Sequence, residues 1–180
     1  IMGIPQYGMN KHGDALSVHK NVGYKLIVSG TYNIPEAESG IVYGLDGTAA
    51  DTTITLNLPD TTGLSEGVYY TFLVVGVSTG EYTIKCQDLT DTTGDTFIGG
   101  VMLGASGATD NEAAAFAQAA ADDSQIVLDN NLANSAGGLG SSITVKYLGI
   151  VGGRGHWLVS GNAGTADVDS TGAALFTNGS

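Results

Sequence analysis

The sequence predicts an all-β fold, a β-sandwich built as a single domain, and three observations carry that expectation. The first is composition: 28 of the 180 residues are Gly and only 3 are Pro. With many Thr and Ser, this points to numerous tight turns joining short strands, because Gly supplies positive φ at little cost and Thr suits a pleated surface. The second is balance. An apolar fraction of 42% against 13% charged residues lies far from the composition of disordered chains. A domain of this length buries roughly 70% of its unfolded surface without metals or disulfides. The third is a series of short runs with two-residue alternation, separated by turn clusters.

Taken in order, residues 1–23 show no sustained periodicity and read as an extended arm. The arm holds Lys11 and Lys20 in an otherwise acidic chain, a placement suited to reaching over an acidic neighbour. From Tyr24 to Gly161 the chain reads as the sandwich domain, with strands expected at 24–29, 41–45, 52–58, 68–77, 82–86 and 96–103. In Thr53-Ile54-Thr55-Leu56-Asn57-Leu58 the alternation puts Ile54, Leu56 and Leu58 on one buried face. Pro59 ends that strand because it has no backbone donor for the ladder. Further strands are expected at 125–129, 142–150 and 156–160. Gly152-Gly153-Arg154-Gly155 is placed to close the last two into a hairpin.

Residues 110–121 leave two alternatives open. Alanine density and the Thr109 to Glu112 capping spacing favour a helix, whereas strands on each side favour an extended segment. Residues 162–180 read as a polar C-terminal tail in which Val168, Leu175 and Phe176 are the available anchors, ordered by contact with another subunit. No period of 20 to 50 residues recurs, which disfavours solenoids and propellers.

Charge and motifs narrow the functional classes. Six basic and eighteen acidic residues give a formal charge of −12, so phosphate backbones and anionic membranes are repelled, and neither nucleic acid nor membrane is an expected partner. The longest apolar runs fall far short of a bilayer span. The Ile1–Pro5 start lacks the features of a secretory signal, so export by that route is not expected. Cys86, the single cysteine, sits in a strand-like run and reads as a packed thiol.

The spacing of His12, His19 and His156 is not that of a zinc site. Gly104-Ala105-Ser106-Gly107 misses the nucleophile-elbow pattern by one residue, and Gly137-Gly138-Leu139-Gly140 lacks the Lys-Ser/Thr ending of a phosphate loop. The candidate metal site is weak: Asp88, Asp91 and Asp95 lie close enough in sequence to converge on Ca²⁺, but a solvated acidic turn explains them with fewer assumptions. No catalytic residue and no cofactor is expected. Tyr7, Lys11, Lys20, Trp157 and Phe176 are the candidate interface residues, the aromatics because large rings dominate burial at cores and interfaces; Trp157 reads as either a core or an inter-subunit anchor.

Three stretches together resemble a known family. They are Glu38–Asp46 followed by Ile54–Pro59 and Gly63–Phe72; Gly94–Val101; and Gly137–Ser142 leading to His156–Gly161. Their serial pattern of short strand motifs, spanning about residues 31–161, is similar to that of small structural proteins of tailed bacteriophages, especially marine and cyanobacterial phages: virion, capsid-decoration or head-fibre-like proteins. The resemblance implies a sandwich, often jelly-roll-like, on the outer capsid surface as a homotrimer or other symmetric cluster. It implies a non-enzymatic decoration or cement protein with the major capsid protein as partner. The alternative is a receptor- or carbohydrate-binding module of a head or tail fibre. The alanine-rich 111–121 stretch and the arm depart from the pattern.

Overall fold

A computed structural model describes residues 23–48, 53–76, 80–89, 94–105, 115–129, 137–165 and 175–179. Its strands are β1 (Tyr24–Ile27), β2 (Gly30–Asn33), β3 (Val42–Asp46), β4 (Ile54–Asn57), β5 (Tyr69–Gly76), β6 (Tyr82–Lys85), β7 (Thr96–Ala105), β8 (Ala115–Gln118), β9 (Gln125–Leu128), β10 (Ser142–Val151), β11 (Arg154–Thr165) and β12 (Phe176–Thr177). One 3-10 turn, Glu36–Glu38, joins β2 to β3. The protein is an all-β sandwich: a seven-stranded sheet in the order β1-β3-β5-β10-β11-β7-β8 faces a five-stranded sheet in the order β12-β9-β6-β4-β2.

The first half of the chain alternates between the sheets. Strands β1, β3 and β5 go to the large sheet and β2, β4 and β6 to the small one, each parallel to its predecessor. The chain thus winds three times around a shared interior, the solenoid-like path that the sequence reading disfavoured. The winding leaves no sequence period because register partners such as Tyr24, Val42 and Thr71, or Gly30, Ile54 and Tyr82, lie at unequal intervals along the chain. The finer jelly-roll expectation does not fit these pairings. Jelly rolls are antiparallel, whereas five strand pairs here are parallel.

The β10–β11 hairpin inserts between β5 and β7. Its two-residue turn is Gly152-Gly153, with φ of 63° and 86°, the left-handed pair that a tight hairpin turn demands. Gly99, at φ 99°, marks a second special position: a Cβ there would collide with the Val159 carbonyl of the neighbouring strand. The extended alternative holds for the described part of 110–121, where Ala115–Gln118 pairs antiparallel with β7.

The expected tail boundary needs revision. Strand β11 continues through Thr165 alongside β7, and Phe176–Thr177 pairs with β9. Leu175 and Phe176 are buried in the chain's own sandwich, so their anchoring is intramolecular, and residues 137–165 and 175–179 are part of the domain.

Alternation explains the interior. In β4 and β6 the side chains of Ile54, Leu56, Tyr82 and Ile84 point inward and are buried, while the residues between them are half-exposed. Aromatic rings fill the centre. Trp157 packs on Tyr70 and Tyr147 with centroids 6.3 and 5.2 Å away, and Tyr43 stacks on Phe72 at 5.7 Å. Each fully buried large side chain contributes about 1.5–3 kcal/mol through removal from water. Cys86 is buried in this core, and burial pushes its thiol pKa well up, which suits packing rather than reactivity.

Candidate interaction surface

Two sheets closed over one interior leave two outward faces, and the strand registers place every outward side chain. On the large sheet one row runs across all seven strands: Leu26, Gly44, Leu73, Ser142, Asn162, Met102 and Phe116. A second row sets Tyr69, Lys146, Leu158 and Ile98 side by side. Leu148 extends this outward surface up to a β-bulge between Tyr147 and Gly149. Beyond it Ile150, 59% exposed, pairs with Gly155 and lines the depression beside Thr61, Leu64 and Tyr147, and Val151, 65% exposed, adjoins the hairpin turn. Tyr24 lies across Gly44, where any Cβ would strike its ring. Between the apolar ends sits an uncharged polar strip in which the Thr71 and Thr144 hydroxyls bond at 2.9 Å.

The outward rows of the small sheet differ. Thr31, Thr55 and Thr83 align with Val127, and Asn33, Asn57 and Lys85 align with Gln125 and Thr177. Asn57 Nδ2 donates to Asn33 Oδ1 at 2.6 Å, a cross-strand amide bridge. Among the described residues, no large exposed hydrophobic side chain belongs to this sheet, while nine lie on strands of the large one. Exposed apolar area concentrated on one face is the usual mark of a contact surface.

At the edge where β1 and β2 lie, a polar network ties the sheets together. Lys25 Nζ bonds Glu38 Oε1 at 2.9 Å, donates to the Tyr32 hydroxyl and sits 4.2 Å from the Tyr32 ring centre. The hydroxyls of Tyr32 and Tyr43 also donate to Glu38. Burial alone would raise the Glu38 pKa, but the hydrogen bonds from Tyr43, Lys25 and Tyr32 together hold it below the ordinary value. Burial, with the Glu38 bond, pushes the Tyr43 pKa far up. These groups are locked together as structure, and the network covers the open edge.

A second polar cluster lies under the β10–β11 turn. Asp95 is buried; its Oδ1 accepts from Thr61 Oγ1 at 2.8 Å, and its Oδ2 has no hydrogen-bond partner. Desolvation raises its pKa, opposed by the Thr61 bond and the Gly155 amide, with Asp88 and Asp60 adding to the rise. Arg154 clamps the neighbourhood, bonding the Gly94 carbonyl at 2.8 Å through Nε and Asp122 at 2.9 Å through Nη1. Nearby, Glu66 lines two shallow depressions of about 310 and 610 Å³.

The sequence-predicted residues distribute as follows. Asp88 is exposed and Asp95 buried, and no three His, Cys, Asp or Glu among the described residues are grouped to hold a metal; Asp91 lies outside the described residues. Tyr7, Lys11 and Lys20 also lie outside them. Trp157 is fully buried and Phe176 nearly so, so both are core residues of the chain and not interface anchors. His156 is half-buried, with Nδ1 against the Arg154 carbonyl at 3.0 Å.

The outward residues Tyr69, Leu148 and Leu158 were missed. Part of their signal was present in β10, where outward positions change from Thr144 and Lys146 to Leu148. No helix among the described residues is long and apolar enough to cross a membrane. Comparison with protein-family models, curated proteins and solved structures finds no match.

Proposed function

We propose that the chain is a non-enzymatic structural protein of a tailed-phage particle, a decoration or cement protein on the outer capsid surface that stabilises the shell through contacts with the major capsid protein and with sister copies. The observation that carries this reading is the segregation of surface chemistry: an apolar, nearly uncharged face on the large sheet and a hydroxyl- and amide-covered face on the small one. A protein whose task is adhesion needs one face to bury and another to remain in water. The resemblance of the strand motifs to phage structural proteins supports the same reading. So does the net charge of −12, which keeps a densely arrayed protein soluble.

The test is composition and imaging of purified particles. The chain is expected at a fixed ratio to the major capsid protein, as density on the outer shell, and particles lacking it are expected to release their genome at a lower temperature, and on dilution to a low salt concentration that complete particles withstand. Absence from purified particles refutes the reading. A second reading, a receptor- or carbohydrate-binding module of a fibre, is favoured by the exposed Tyr24 and Tyr69 on the large-sheet face. Glycan-array binding abolished by Tyr24→Ala or Tyr69→Ala would select it.

A further inference from the structure

We infer that the outward face of β5, β10 and β11, centred on Tyr69, Leu148 and Leu158, is where a second copy of this chain packs. The inference rests on the structural-protein reading and assigns one of its contacts to a surface.

Charge decides the occupant. Each copy carries −12, so two copies repel wherever carboxylates face each other. At the outward positions of residues 69–75, 142–150 and 156–162 there is no carboxylate, and the charged side chain present is Lys146, in register with Tyr69 and Leu158. Glu66 borders this surface beyond Gly149. A foreign partner with a basic surface would be captured best by the acidic remainder of the molecule. The uncharged face is the part on which like-charged copies can meet without that penalty.

Size sets the strength. The whole seven-stranded face, at ~4.8 Å per strand, spans about 29 Å and projects on the order of 600 Å² before side-chain relief is added. A contact through β5, β10 and β11 is therefore smaller than the about 800 Å² per partner of a standard interface and belongs with the weaker, concentration-dependent ones. Lys146 can keep its ammonium at the rim while its stem lies along the apolar surface. The Thr71 and Thr144 hydroxyls already satisfy one another, which lowers the cost of covering them.

The test is the sedimentation mass of the full chain over a concentration series, for the wild type and for Leu158→Glu, Leu148→Glu and Thr55→Glu. The wild type is expected to reach a mass above that of one chain. Either Glu on the large-sheet face is expected to raise the dissociation constant at least ~30-fold, while Thr55→Glu, the same charge on the opposite face, leaves it unchanged. Circular-dichroism melting checks that each variant folds, and Leu158→Asn reads the same loss if Leu158→Glu does not. A wild type that stays monomeric, or Glu variants that associate as the wild type does, overturns the inference. So does a monomer in which Leu158 is shielded, because another part of the same chain then covers the face. Neither result touches the decoration reading, which stands or falls on the chain's presence in purified particles.

Discussion

On the small sheet the outward rows hold Thr31, Thr55 and Thr83, then Asn33, Asn57 and Lys85; on the large sheet the corresponding rows hold Leu26, Leu73, Met102 and Phe116, then Tyr69, Leu158 and Ile98. Both sheets alternate with the same period, and the central strands of both bury their inward side chains almost completely. The difference therefore lies in what water is left to touch. Hydroxyls and amides keep a face hydrated, whereas exposed Leu, Ile, Met and Phe gain free energy by being covered. A sandwich of this kind keeps stability and adhesion on separate sides of one sheet, so the two respond separately to substitution.

Truncation of the interior is the largest expected effect. Trp157→Ala removes a fully buried ring packed on Tyr70 and Tyr147 and is expected to cost about 3–5 kcal/mol, read as a shift in the denaturation midpoint. A matched pair of leucines sharpens the comparison. Leu56→Ala, on the inward side, is expected to cost about 2–5 kcal/mol, and Leu158→Ala, on the outward side, less than about 0.5 kcal/mol in the dilute chain. Equal costs at the two sites would break the separation of faces.

The pH response divides by region in the same way. Asp95 has a folded pKa above its ordinary value of 3.8, so its carboxylate is harder to ionise folded than unfolded. The native state is then favoured below that value and loses stability as pH climbs through the raised pKa. Glu38 has a folded pKa below its ordinary value of 4.5, so its contribution is full above that value and is lost as pH falls through the lowered one. Melting curves of Asp95→Asn across this range are expected to lose the stabilisation on acidification and to gain at neutral pH; Glu38→Gln is expected to lose the acid destabilisation. The smallest effect belongs to the polar face, where Asn57→Ala breaks the amide bridge to Asn33 at a cost of about 1 kcal/mol.

Local rules made much of this fold legible. Ile54, Leu56 and Leu58 announce a half-buried strand by alternation, and Gly152-Gly153 announces a hairpin because two consecutive left-handed residues fit little else. Strand β2 was hidden because Tyr32 is its one large side chain, and β12 because two residues make no period. Sheet membership was invisible for a different reason: alternation says which side chains are buried, not which sheet buries them, so the winding of β1 through β6 had no local signature. Trp157 reads as core or interface, and Phe176 as interface, because ring size marks burial without saying against what. Asp95 read as part of a solvated turn because a carboxylate among Thr and Gly gives no warning that β11 and Thr61 close over it. In the candidate surface, the change from Lys146 to Leu148 was readable, but only the register with Tyr69 and Leu158 turns it into a patch, and the bulge that turns Ile150 away from it had no signal in the sequence.

Hydroxyl-radical footprinting of the full chain at low and high concentration tests the central claim most directly, because it reads side chains and not backbone. The account predicts that Tyr69, Leu148 and Leu158 lose reactivity on concentration while Val127, on the outward face of the small sheet, keeps its own, and that Trp157 and Tyr43 stay unreactive throughout. Equal reactivity of Tyr69, Leu148 and Leu158 at both concentrations, or protection that appears at Val127 instead, would contradict it.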